Sequence, residues 1–104
     1  MDGDNEDAVR HAQEAVKNAL DSESEERAYL SLAHGYLFSE GPNNLNKARE
    51  LYKQHKSNKV DPYGSTFAMA ALDDFKYFRR AGMDRPEMIE IENEDLSDSP
   101  QAPR

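Results

Sequence analysis

Residues 27–62 read RAYLSLAHGYLFSEGPNNLNKARELYKQHKSNKVDP, and the periodicity inside this stretch decides the fold. Tyr29, Leu32, Ala33 and Tyr36 recur at spacings of three and four on one face of a helix, while Leu30, His34, Leu37 and Phe38 line another. Two apolar faces on one helix call for two neighbours, or for one neighbour and one ligand. Gly41 and Pro42 stop this helix, and the turn Gly41-Pro42-Asn43-Asn44 leads into the next, with an Asn as its expected cap. That helix carries Leu45, Ala48, Leu51, Tyr52 and His55 inward. Its outer stripe of Arg49, Lys53 and Lys56 reads as a solvated basic face.

Upstream, Ala8, Val9, Ala12, Ala15, Val16, Ala19 and Leu20 predict a helix from about residue 5 to about Asp21. Its face is narrow and built of small residues, so it should pack closely on a neighbour. Ser22 followed by Glu25 matches a capping box, which starts the second helix at about Glu23. Downstream, Asp61-Pro62 reads as the start of a fourth helix, with Asp as N-cap, Pro at the first helical position and Ser65 as the competing cap. It presents Phe67, Ala68, Ala71, Leu72, Phe75 and Phe78, and closes with Arg79, Arg80 and Gly82, a basic last turn followed by a C′ glycine. Asp84, Pro86 and Glu87 then open a short turn through Met88, Ile89 and Ile91. Beyond it the chain is acidic and poor in apolar residues. No segment alternates apolar and polar residues, so a sheet is not expected. The reading is all-α: antiparallel helical hairpins, four helices plus a short C-terminal turn, with a single helical domain over residues 1–94 and an acidic disordered tail over 95–104.

Composition narrows the function classes. No apolar run approaches the ~18 residues of a membrane span, and Met1–Arg10 is acidic where a secretory signal would be basic and then apolar, so a cytoplasmic protein is expected. The absence of cysteine excludes disulfides, thiolate zinc sites and cysteine nucleophiles. Charge is segregated: residues 1–26 carry nine acids and two bases, 27–82 five acids and nine bases, and 83–104 seven acids and two bases. The pattern reads as acidic ends neutralising a basic middle, in preference to a basic surface kept for an anionic partner. A net charge of −8 repels polyanions, so no direct nucleic-acid contact is expected.

Residues suited to chemistry do not converge. His11, His34 and His55 fall on three different helices with no metal-ligand spacing, and the calcium-like start at Asp2 lacks the glycine and the bidentate glutamate of such a loop. Asp73 and Asp74 point to different sides of a helix, and no phosphate cradle or nucleophile elbow occurs. The sequence therefore predicts a protein that is not an enzyme and needs no cofactor or metal. Met88-Ile89-Glu90-Ile91-Glu92 has the look of a short strand-adding peptide with an acidic flank, the alternative being that Ile89 and Ile91 pack on the bundle.

The stretch 27–62 resembles one tetratricopeptide or Sel1-like repeat. Tyr29, Leu32, Ala33 and Tyr36 match the first-helix pattern, Ala48 and Tyr52 the second, Pro62 the closing proline, and Leu45 to Tyr52 the Sel1-type Lys-Ala segment. The longer connection at Gly41–Asn44, the late proline and His55 in place of an alanine depart from the family. The resemblance implies a concave face lined by Arg27, Leu30, His34, Leu37 and Phe38, the candidate partner-binding residues. It implies a small interaction module, adaptor or chaperone-like, holding another protein's helix or peptide there or against the exposed side of the fourth helix. An acidic inhibitor or nucleic-acid mimic, and a structural subunit of a homo-oligomer, are the alternatives.

Overall fold

The structure, a computed structural model, describes residues 2–39, 41–83 and 85–96, with side chains from Asp7 onward. Helix α1 spans Asp2–Asn18, α2 Ser22–Phe38, α3 Pro42–His55 and α4 Phe67–Arg80. A short α5, Glu87–Glu90, runs directly into a π-helical turn, Ile91–Asp95. Among the described residues no strand forms, and Lys59 and Thr66 make only an isolated bridge.

Helix α1 starts earlier and ends earlier than the expected span of about residue 5 to Asp21, and the starts of α2, α3 and α4 each differ from the sequence reading for a local reason. Helix α2 is capped by Asp21 rather than Ser22: extended at φ −147°, Asp21 accepts the Ser24 backbone N–H at 2.7 Å. Those bonds from Ser24 hold its carboxyl below the usual carboxylate range. Helix α3 starts at Pro42, with Gly41 at its N-cap and φ +107°, so Asn43 and Asn44 lie inside the first turn and neither is the N-cap. Proline serves there because its missing N–H would have had no helical acceptor. Helix α4 starts at neither Asp61 nor Ser65 but after Thr66, whose hydroxyl accepts the Met69 N–H at 3.2 Å. Asp61 instead folds the loop, accepting the Tyr63 and Ser65 N–H groups at 2.8 and 3.2 Å. The end of α4 is as expected: Gly82, at φ +76°, follows the helix while Met83 N–H bonds Phe78 C=O and Gly82 N–H bonds Arg79 C=O, a Schellman closure.

The core is a cluster of Leu30, Ala33 and Leu37 from α2, Ala48 and Tyr52 from α3, Val60, then Phe67, Ala68, Ala71 and Phe75 from α4. Met88, Ile91 and Leu96 complete it from the C-terminal segment. Ala12, Ala28 and Leu32 are buried outside that cluster, along the seam where α1 meets α2. The seam is tight: a Cβ on Gly35 would lie 2.9 Å from Val9 Cγ2. Both faces of α2 are thus filled by neighbours, α1 on one side and the α3–α4 pair on the other.

The expected domain boundary at residue 94 is too early. Asp95 and Leu96 are buried at 3% and 2% exposure. The π-turn explains how: Leu96 N–H bonds Ile91 C=O, five residues back, so the widened turn sets Leu96 beneath Ile91 and directs both inward. Residues 97–104 of the expected tail lie outside the described residues. Met88 to Glu92 is helical, with Met88 and Ile91 in the core and Ile89 exposed. That conformation corrects the strand-peptide alternative and leaves Ile91, but not Ile89, packed on the bundle.

Candidate functional site

The α2 face read as a groove is covered by α4. Leu30 and Leu37 are buried in the core, and Phe38 meets the Phe78 ring edge-on at 5.0 Å between centroids. Arg27 is exposed, but its Nε donates to Val60 C=O at 2.8 Å and ties α2 to the loop before α4. The five residues therefore lie along one line of α2, as their spacing required, yet they do not form an open cleft.

His34 shows why α4 seats there. Its Nδ1 lies 2.6 Å from the Tyr52 hydroxyl and its Nε2 2.9 Å from Asp74 Oδ2. Burial, with Asp74 adding to it, pushes the Tyr52 phenol well above its ordinary range, so Tyr52 keeps its proton and donates it to Nδ1. Nε2–H then donates to Asp74. Phe75 and Phe78 flank the imidazole at 5.9 and 5.1 Å. One side chain from each of α2, α3 and α4 is thus joined in a line, and the Tyr52 end of that line is closed to solvent. The arrangement orders three helices and offers a substrate no approach to the hydroxyl.

His55, one turn beyond Tyr52 on α3, plays a matching part. Its ring stacks between Tyr29 at 4.4 Å and Phe67 at 5.5 Å, and Nδ1 lies 2.8 Å from Glu26 Oε1. Asn58 donates to the second Glu26 oxygen at 3.2 Å. An alanine at this position, as a tetratricopeptide helix would have, could make none of these contacts. Among the described residues no three His, Asp or Glu side chains converge as a metal-holding group, and no helix is long and apolar enough to cross a membrane.

Arg49, on the outer stripe of α3, departs from its reading as solvated, while Lys53 of the same stripe is exposed. Arg49 donates from Nε to Asp95 at 2.7 Å, from Nη1 to Glu90 at 3.1 Å and from Nη2 to Glu94 at 2.9 Å. Arg79 of α4 pairs with Glu92 at 2.7 Å. Cations of the basic middle thus hold acids of the C-terminal segment, in keeping with self-neutralising charge. No family model, curated protein or solved structure matches this chain.

With α2 covered, exposed apolar side chains mark what remains open. Met69 is 54% and Tyr77 62% exposed, and Met83, just past the helix end, is 45% exposed. On a 3.6-residue helix Met69, Asp73, Lys76, Tyr77 and Arg80 share an arc of about 100°. This is the exposed side of the fourth helix that the sequence offered as the second docking place. Arg49 with its three carboxylates, Tyr52 with Asp74, and Glu26 went unread as partners because they lie 18 to 46 residues from the groups they hold.

Proposed function

We propose that the chain is a small protein–protein interaction module that holds a partner's helix or peptide on the outer face of α4. The observation that carries this reading is the exposed row Met69, Tyr77 and Met83, bordered by the exposed cations Lys76 and Arg80. Large flexible or rigid apolar side chains with a polar rim are the composition of a docking patch, and tyrosine offers contact area at low entropic cost. The rim suits an acidic or amphipathic partner.

A tetratricopeptide-like reading is supported by the order of packing. Glu26 meets His55 and His34 meets Tyr52, so α2 and α3 run antiparallel, while Asp74 on His34 and Phe78 on Phe38 lay α4 alongside α2. Against an acidic mimic stands the internal use of Glu26, Asp74, Glu90, Glu92, Glu94 and Asp95, which are paired within the chain.

The test is site-specific photo-crosslinking in the native cell, with the reactive group placed at position 69 or 77 and, as control, at Lys17 on α1. The proposal expects one discrete heterologous adduct from positions 69 and 77 and none from 17, with the adduct diminished by Lys76→Glu/Arg80→Glu. Equal adducts from all three positions, or none, would refute it. An adduct of twice the chain mass would instead support the homo-oligomer.

A further inference from the structure

We propose that the cleft between α3 and α4, now filled by residues 87–96, is a binding site for an acidic amphipathic helix of a partner protein. The chain's own C-terminal segment is its intramolecular occupant. This site is separate from the outer face of α4.

The seated segment shows what the cleft selects. Met88, Ile91 and Leu96 point inward and are buried, while Glu90, Glu94 and Asp95 converge on Arg49 from α3 and Glu92 meets Arg79 from α4. The ligand is therefore a short helix with apolar residues at relative positions 0, 3 and 8 and acids between them, read by one arginine on each wall. An arginine fork facing carboxylates is strongly directional, so the cleft prefers acids over other polar side chains.

The segment is attached as a separable part. Helix α4 is closed by its own Schellman bonds at Gly82 and Met83, so its end is complete without α5. Helix α5 has four residues and no side-chain cap, unlike α2 and α4, and a helix that short owes its order to docking. Its fit is also imperfect. Glu87 Oε1 is buried without a hydrogen bond, its nearest cation Arg85 being 3.5 Å away, and three carboxylates crowd a single guanidinium. A partner helix bearing the same apolar spacing without the surplus charge would compete well, its apparent affinity lowered only by the fraction of time the cleft is filled.

The experiment uses the full chain and a fluorescein-labelled peptide of sequence RPEMIEIENEDL, residues 85–96, followed by fluorescence anisotropy. Wild type should bind it weakly. Ile91→Ser, which loosens the tethered segment, should tighten peptide binding by about tenfold or more, and Glu90→Lys/Glu94→Lys should do the same without touching the buried side chains. Arg49→Ala, which damages the cleft itself, should weaken binding in the Ile91→Ser background, where the tethered segment no longer competes. Opposite signs for segment-side and cleft-side changes are the signature of an exchangeable occupant. If both segment-side variants lose cooperative melting, the segment is integral core and the proposal fails. It fails equally if neither variant changes peptide binding. Concentration-dependent dimers by light scattering, formed by wild type without peptide, would replace the partner by a second copy.

Discussion

Replacing Arg49 by alanine tests the docking of the C-terminal segment more sharply than any other single change. The substitution leaves the Asp95 carboxylate, only 4% exposed, without the guanidinium that holds it at 2.7 Å. Removing one partner of a buried pair costs about 3–5 kcal/mol. Arg49 itself is 25% exposed, so solvent screening brings the expected loss to about 2–3 kcal/mol. The pairs to Glu90 and Glu94 involve well-exposed carboxylates and add under about 1 kcal/mol each. For a domain of this size the total corresponds to a fall of about 10–20 °C in melting temperature. Urea unfolding followed by far-UV circular dichroism should show the lower midpoint and a reduced slope, because the variant's native state already exposes residues 87–96. Lys53→Ala on the same helix, which is exposed, should cost under about 0.5 kcal/mol. Arg49→Met with Asp95→Leu should recover most of the loss, since a buried pair can be exchanged for apolar contact. If Arg49→Ala proves as mild as Lys53→Ala, the stripe is a solvated face and the clamp contributes nothing.

Three further outcomes are expected. Tyr52 holds its proton to higher pH in the folded than in the unfolded chain, so its contribution to stability is complete below about pH 10 and is lost as pH rises beyond it. Tyr52→Phe should cost about 1–3 kcal/mol at neutral pH by stranding His34 Nδ1, and its deficit relative to wild type should shrink in urea titrations above pH 10; a constant deficit contradicts the assignment. Gly35→Val should push α1, through Val9, away from α2 at a cost of about 1–3 kcal/mol, seen as faster amide exchange in α1 with α2 to α4 still protected. Met69→Ser/Met83→Ser should shift the unfolding midpoint by no more than a surface pair does, under about 1 kcal/mol in total, while abolishing the adduct crosslinked from position 77; a large loss of stability would show that this face packs against something within the chain.

The parts of the fold that were legible in the sequence are those set by neighbours along the chain. Helix periodicity in Tyr29 to Phe38 and the glycine stop at Gly82 depend on residues three to five apart, and both stand in the structure. The small-residue face of α1 likewise predicted a close contact, and Gly35 under Val9 supplies it. Asp61 misled because one carboxylate bonding nearby N–H groups serves a helix cap and a loop turn alike; only the backbone beyond Pro62 separates them. Asp95 read as tail because a charged residue among acids carries no local sign of burial. Its sign is Arg49, 46 residues away. The same holds for His34, whose face looked open because Asp74, which closes it, lies 40 residues further on. The five candidate residues share one face of α2 as their spacing required, but what covers that face depended on pairs too distant in sequence to be read.

Native-state hydrogen exchange resolved to single amides is the measurement that tests the central claim, a closed α2–α3–α4 core with a docked but separable C-terminal segment. The account predicts the slowest exchange for amides of Leu30 to Leu37 and Ala71 to Phe75, opening only with global unfolding. Amides of Ile91 to Leu96 should be protected yet open at clearly lower free energy, and that opening free energy should fall as salt is raised and the Arg49 pairs of the docked state weaken. Exchange of residues 91–96 at the rate of a free peptide would show that the segment is not docked, and exchange together with the core would show that it is not separable; either result contradicts the account.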